Sequence, residues 1–172
     1  MNMFSPGAKR RVEPGPGQES VWDYPRPPAL VPSDRLVRVE FGGDLIAETR
    51  GAYRVLETSH PPTWYLPSAD AVAGKLQRSR ARSTMCEWKG AARYWDVLGP
   101  DGAVLAEAAA WSYPRPTPRF VPITDYLAFR PEVFDCFVDG ERVRAQAGGF
   151  YGGWITDDVV GPFKGEPGTW GW

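Results

Sequence analysis

Glycine and proline punctuate this chain so closely that long regular elements have little room to form. Of 172 residues, 19 are Gly and 18 are Pro, together more than a fifth. Proline removes a backbone donor and glycine makes positive φ cheap, so both interrupt ladders and favour tight turns. Short strands joined by turns are the expected outcome, with few long helices. The material for a core is present: 42% of residues are apolar and 13% are aromatic, with eight Trp. Large flat side chains suit either a β core or a pocket wall.

Alternation locates the strands. Leu36-Val37-Arg38-Val39-Glu40-Phe41 alternates apolar and charged residues, Gly42-Gly43-Asp44 offers a tight turn, and Leu45 to Thr49 returns. Tyr53 to Thr58 reads as a third strand, ended by Ser59-His60-Pro61-Pro62. Thr84 to Trp88 and Ala91 to Leu98 flank a Lys89-Gly90 turn, and Ala103 to Trp111 returns after Gly99-Pro100-Asp101-Gly102. The clearest hairpin runs from Phe134 to Val138, turns at Asp139-Gly140 and returns over Glu141 to Ala145. One short helix is expected over Ala69 to Gln77, capped by Ser68 and weakened by Gly74, and Asp125 to Phe129 suits a single helical turn.

The length suits one domain. Residues 1–20 lack periodicity and read as a mobile N-terminal arm, residues 21–147 as the β domain, and residues 148–172 as a tail. The tail holds eight Gly and six aromatics (Phe150, Tyr151, Trp154, Phe163, Trp170 and Trp172), so it is expected to dock on the same domain. Trp22-Asp23-Tyr24-Pro25-Arg26-Pro27 matches Trp111-Ser112-Tyr113-Pro114-Arg115-Pro116, and each copy precedes a hairpin. A pseudo-duplicated β unit whose halves close on each other explains this; two chance Pro-rich bends are the alternative.

A net charge of -1 creates no global field for DNA or a membrane surface. No apolar run approaches a bilayer span, and the basic stretch near the start is not followed by an apolar one, so cytoplasmic placement is the default expectation. Cys86 and Cys136 do not make a disulfide framework and read as free thiols.

Several motifs stand together: Ser59-His60-Pro61-Pro62-Thr63-Trp64-Tyr65, Thr84-Met85-Cys86-Glu87-Trp88-Lys89-Gly90, Tyr94-Trp95, Ala110-Trp111-Ser112-Tyr113-Pro114 and Gly149-Phe150-Tyr151-Gly152-Gly153-Trp154-Ile155-Thr156. In combination they resemble a bacterial family, domain of unknown function 427, also catalogued under a nucleotidyltransferase-type name. The resemblance covers about Val21 to Trp172. It implies a mainly β fold, a small antiparallel barrel-like or β-tent (Mss4-like) domain. Two departures are visible. Zinc-bearing members of that broader fold carry paired Cys motifs, and this chain has no C-x-x-C; the family often has Pro after the motif cysteine, where this chain has Glu87. Neither a phosphate-cradling Gly loop nor an acidic pair for Mg²⁺ accompanies the nucleotidyltransferase-type name.

The candidate chemistry lies in these motifs. A lysine ammonium near a thiol can make it a nucleophile, so Cys86 with Lys89, and His60 as base, form a candidate catalytic set. The plainer reading is a core thiol, a turn lysine and a bend-fixing histidine. Lys75, Arg78, Arg80, Arg82, Lys89 and Arg93 concentrate positive charge with one acid, Glu87, among them. Such a stretch suits a phosphate or carboxylate, or a solvated face. Trp64, Tyr65, Trp95, Trp111 and Tyr113 fill the core or wall a cavity with Lys89 and Arg93, with Trp154 as a plug. One His and two distant Cys fall short of a metal site, and no cofactor is expected. The expected function is binding of a small, anionic, partly planar molecule. The alternative is an enzyme using Cys86, Lys89 or His60 in thiol or lysine chemistry or nucleotidyl transfer. Nucleic-acid binding trails, because the neutral charge disfavours it.

Overall fold

A computed structural model describes residues 10–149, 151–169 and 171–172. The fold is mainly β, and its strands are antiparallel with one exception. Helix is limited, among the described residues, to three 3₁₀ segments: Val21–Asp23, Ser68–Asp70 and Pro118–Ile123.

The alternating segment behaves as its pattern dictates. Val37–Phe41 pairs with Asp44–Thr49 on one side and with Asp135–Val138 on the other, and Glu141–Arg142 extends the sheet. Val37, Val39, Ile46, Cys136 and Val138 are buried on one face. Arg38 lies outward and bonds Glu48 at 2.7 Å across the strand pair. Gly42 and Gly43 turn the first hairpin at φ 57° and 86°, and Asp139 and Gly140 turn the last at 48° and 83°.

The second sheet carries the longest strands. Gly90–Leu98 pairs with Val104–Ser112, which pairs with Ala128–Phe129; Leu76–Arg78 and Thr84–Cys86 both pair with Gly90–Leu98. The long pair is irregular between Ala106 and Ala110, where Ala108 takes φ 48°. The buried Asp96 carboxylate holds that bulge by accepting the Ala108 N–H at 2.8 Å. A third sheet joins Ala29–Pro32, Tyr53–Leu56 and Thr63–Tyr65. None of these sheets closes into a barrel.

Three expectations are corrected. The helix over Ala69 to Gln77 does not form. Ser68 begins a 3₁₀ turn instead of capping it, Gly74 sits at φ 80°, and Leu76–Arg78 pairs as a strand with Trp95–Val97. Pairing to a long central strand outweighs a weak helical propensity. Asp125 to Phe129 is likewise not a helical turn: Asp125 takes φ 60° and Ala128–Phe129 is a strand. The repeated Trp-x-Tyr-Pro-Arg-Pro segments are not equivalent either. Trp22 lies on a 3₁₀ turn with its ring against Trp172 at 4.9 Å, while Trp111 lies within a nine-residue strand. The hairpins downstream do meet, through Val37–Phe41 and Asp135–Val138.

Segments far apart in sequence meet at Glu19–Ser20 and Val159–Val160. Residues 1–9 of the expected arm, and Phe150 and Trp170 of the tail, lie outside the described residues. Glu19–Ser20 pairs in parallel with Val159–Val160, and Gln18 donates to the Asp157 carbonyl at 2.9 Å. Arg144–Ala145 turns away from its expected partner to pair with Trp154–Ile155.

Arg35 clamps this region, bonding Asp139 at 2.8 Å and Asp158 at 2.6 Å. Its hydrogen bond holds Asp139 below the ordinary carboxylate value of 3.8. Burial pushes Asp158 up, but bonds from Thr156 and Arg35 outweigh it and the net direction is down. Depressed carboxylates stabilise the fold above their unfolded values, and the contribution is lost as pH falls through the folded ones. Urea midpoints should therefore fall more steeply below about pH 4 for the parent than for Arg35→Met. Superimposable pH profiles would show that this clamp carries none of the acid sensitivity.

Candidate functional site

The Pro-rich bend forms one wall of the site. After Tyr53–Leu56, Ser59 takes φ 72° and is tied by its N–H to the Val21 carbonyl at 3.0 Å. Pro61 and Pro62 are buried, and Thr63–Tyr65 resumes the sheet. The turn over Glu87, Trp88 and Lys89 forms a second wall. Thr117 fixes it, donating from its hydroxyl to the Trp88 carbonyl at 2.5 Å and from its N–H to the Lys89 carbonyl at 3.3 Å. Gly90 is at φ 102°, and a Cβ there would lie 3.2 Å from the Arg115 carbonyl oxygen. Trp111, near the end of Val104–Ser112, and Tyr113, just past it, form the floor. The tail closes the remaining side, with Gly152 against the Trp111 ring and Gly153 against Pro61.

These walls enclose a cavity of about 590 Å³. Rings line it from Tyr65, Trp88, Tyr94, Trp111, Tyr113 and Tyr151, and ionisable groups from Glu57, His60, Cys86, Glu87, Lys89, Arg130 and Lys164.

The Lys89 ammonium lies 5.7 Å from the centre of the Tyr113 ring and lines the cavity together with Cys86. Burial pulls its pKa down, but Tyr65, Cys86 and Glu57 outweigh this and the net direction is up, so the group is a cation at neutral pH. Of those three, Glu57 is the carboxylate. Burial raises its pKa, and His60, Lys89 and Arg26 bring it below the ordinary value. Burial likewise pushes the Tyr113 hydroxyl well up, with Tyr65 beside it adding to the shift.

His60 is held on both ring nitrogens. Nε2 faces Glu57 at 3.3 Å, and Nδ1 faces the Gln146 amide nitrogen at 3.3 Å. That amide also donates to the Lys164 carbonyl at 2.6 Å, which fixes its orientation. His60 Nδ1 is therefore the acceptor, and Nε2–H donates to Glu57. The Gln146 carbonyl oxygen and the Ser59 hydroxyl are buried without a hydrogen-bond partner among the described residues.

Six candidate residues thus converge: His60, Tyr65, Cys86, Lys89, Trp111 and Tyr113. The others lie elsewhere. Trp64 and Trp154 are core residues stacked at 6.1 Å. Trp95 packs on the same core and donates to the Ser112 hydroxyl at 2.9 Å. Arg93 is half-buried on its strand, off the cavity, and Arg78, Arg80 and Arg82 are exposed. Strand alternation explains the split: Tyr65 and Tyr94 face the cavity, so Trp64, Arg93 and Trp95 face away. Glu57, Arg130, Gln146 and Lys164 join the site without having been singled out. Only Glu57 had a local signal, three residues before His60. Cys86 is half-buried at the cavity and Cys136 buried in the core, both as free thiols. Among the described residues, no three His, Cys, Asp or Glu side chains gather closely enough to share a metal ion.

Residues 29–141 match the sequence model of a family described as a domain of unknown function (DUF427). No curated protein matches the chain. The matched stretch contains Glu57, His60, Cys86, Lys89, Trp111 and Arg130; Gln146, Tyr151 and Lys164 come from beyond it.

Proposed function

This chain belongs to the DUF427 family, whose description assigns no function, and from its geometry we propose that it binds a small, anionic, partly planar molecule. One observation carries this reading. The Lys89 ammonium sits on a ring-lined wall with no carboxylate at ion-pair distance among the described residues. A cation beside low-dielectric walls attracts an anion more strongly than one in open water, because screening is weaker there. The volume suits a metabolite-sized ligand, and Trp88, Trp111 and Tyr151 offer flat surfaces for a ring.

Lys89→Met tests it, keeping the stem and removing the charge. Titration of both forms with a panel of nucleotides and small carboxylates should find an anion that binds the parent about tenfold or more tighter, the range of a charge-assisted hydrogen bond. Equal binding to both forms would reduce Lys89 to a turn residue and end the reading. Native mass spectrometry of freshly purified protein should show such a molecule carried along.

A second reading rests on Cys86 and Lys89, which line the same space as the His60–Glu57 pair. That set suits an enzyme with Cys86 as nucleophile and Lys89 as its activating cation, and His60 could serve as base once Nδ1 releases the Gln146 amide. Cys86→Ser separates the two: it should leave anion affinity in place and abolish any turnover. Two free thiols fit a reducing, cytoplasmic setting, and no helix among the described residues is long and apolar enough to cross a membrane.

A further inference from the structure

We propose that the ligand is a flat dianion gripped at two points, by Lys89 and by Arg130. This rests on the anion-site reading above and adds a second subsite to it. Trp111 and Tyr113 are alternate residues of one extended segment. Their rings share a face, roughly 7 Å apart along the strand. Ser112, between them, turns to the other face, where it accepts the Trp95 N–H. Each of the two rings carries a cation: Lys89 Nζ stands 5.7 Å from the Tyr113 centroid, and Arg130 Cζ stands 5.9 Å from that of Trp111. All four residues line the cavity.

What sets these two cations apart is that both stand on the Trp111–Tyr113 segment. Lys164, the third cation on the wall, stands 5.9 Å from the Tyr151 ring, off that segment, and donates to the Trp172 carbonyl at 2.7 Å. Glu57 is occupied by His60 at 3.3 Å and Arg26 at 3.6 Å, and Glu87, the other carboxylate on the wall, is exposed to solvent. Arg130 spends Nε on the Ala108 carbonyl at 3.3 Å and Nη1 on the partly exposed Glu132 at 3.5 Å, leaving Nη2 uncommitted among the described residues. A guanidinium edge held in place by its other two nitrogens is a preorganised carboxylate or phosphate donor. Two such positive points on one apolar floor select a rigid ligand with an anionic group at each end over one with a single charge.

Calorimetric titration of the full chain with benzoate and with terephthalate tests this, because the two share a ring and differ in the second carboxylate. Terephthalate should bind about tenfold or more tighter. Arg130→Met should abolish that preference, bringing terephthalate close to benzoate, and Arg130→Lys should restore part of it. Equal binding of the two probes to the parent would overturn the second subsite and leave the single-cation pocket standing. Binding of neither, at millimolar concentration, would remove both readings. The parent comparison decides the matter even if an Arg130 variant fails to fold.

Discussion

Replacing Trp154 with Ala should cost the protein about 3–5 kcal/mol, a substantial part of the roughly 5–15 kcal/mol that holds a domain folded. Trp154 is 1% exposed and stacks on Trp64 with 23° between the ring planes. Its indole N–H donates to the Phe129 carbonyl at 3.0 Å, and its backbone N–H donates to the Pro62 carbonyl at 2.8 Å. Truncation opens a void in the main core and strands a buried carbonyl, itself a cost of about 1–3 kcal/mol. Trp154→Phe keeps a ring and loses the hydrogen bond, so it should cost markedly less. Urea unfolding measures both. A loss below about 1 kcal/mol for Trp154→Ala would mean that the tail detaches from an otherwise self-sufficient domain.

Gly152→Ala should damage the pocket more than the fold. A Cβ at Gly152 would stand 2.2 Å from Trp111 Cη2 and 2.9 Å from Cζ2. No side chain tolerates that approach, so the indole must leave its place on the cavity floor. Overpacking of this kind costs about 1–3 kcal/mol. Because Arg130 stands over the same indole, the displacement should also erase any preference for a dianion. The check is to run the urea midpoint and the benzoate and terephthalate titrations on one preparation. Unchanged affinities would show that Trp111 takes no part in recognition.

How much of this was legible in the sequence depends on the range of the interaction. Hairpins set by neighbouring residues were readable: Arg38 opposite Glu48, and Asp139-Gly140 at a turn needing positive φ twice. The bend at His60, the Cys86–Lys89 turn and the Trp111–Tyr113 segment were also recognisable as the site's components. Two kinds of information were missing. Phase was one: Trp64 beside Tyr65, and Trp95 beside Tyr94, are equally aromatic, and only the three-dimensional sheet decides which member of each pair faces the cavity. Distance along the chain was the other. Gln146 reaches His60 across 86 positions, and no local pattern announces such a contact. The Ala69–Gln77 helix failed for a related reason, since the strand that recruits Leu76–Arg78 lies beyond any window used to judge helical propensity.

The parallel pairing of Glu19–Ser20 with Val159–Val160 bears on how the protein is made. Gln18 and Asp157, bonded beside it, are 139 positions apart. Synthesis proceeds from the N-terminus, so the ribosome releases every apolar surface before the segment that seals it. Through most of translation Trp64 lacks Trp154, the Trp111 face lacks Gly152, and the bend at Ser59 lacks Lys164, whose N–H it accepts at 2.8 Å. Non-local closure of this kind slows folding and prolongs exposure of sticky surface. A chain stalled before these residues would therefore present its aromatic faces to other nascent chains, and the site is complete only once Lys164 has emerged.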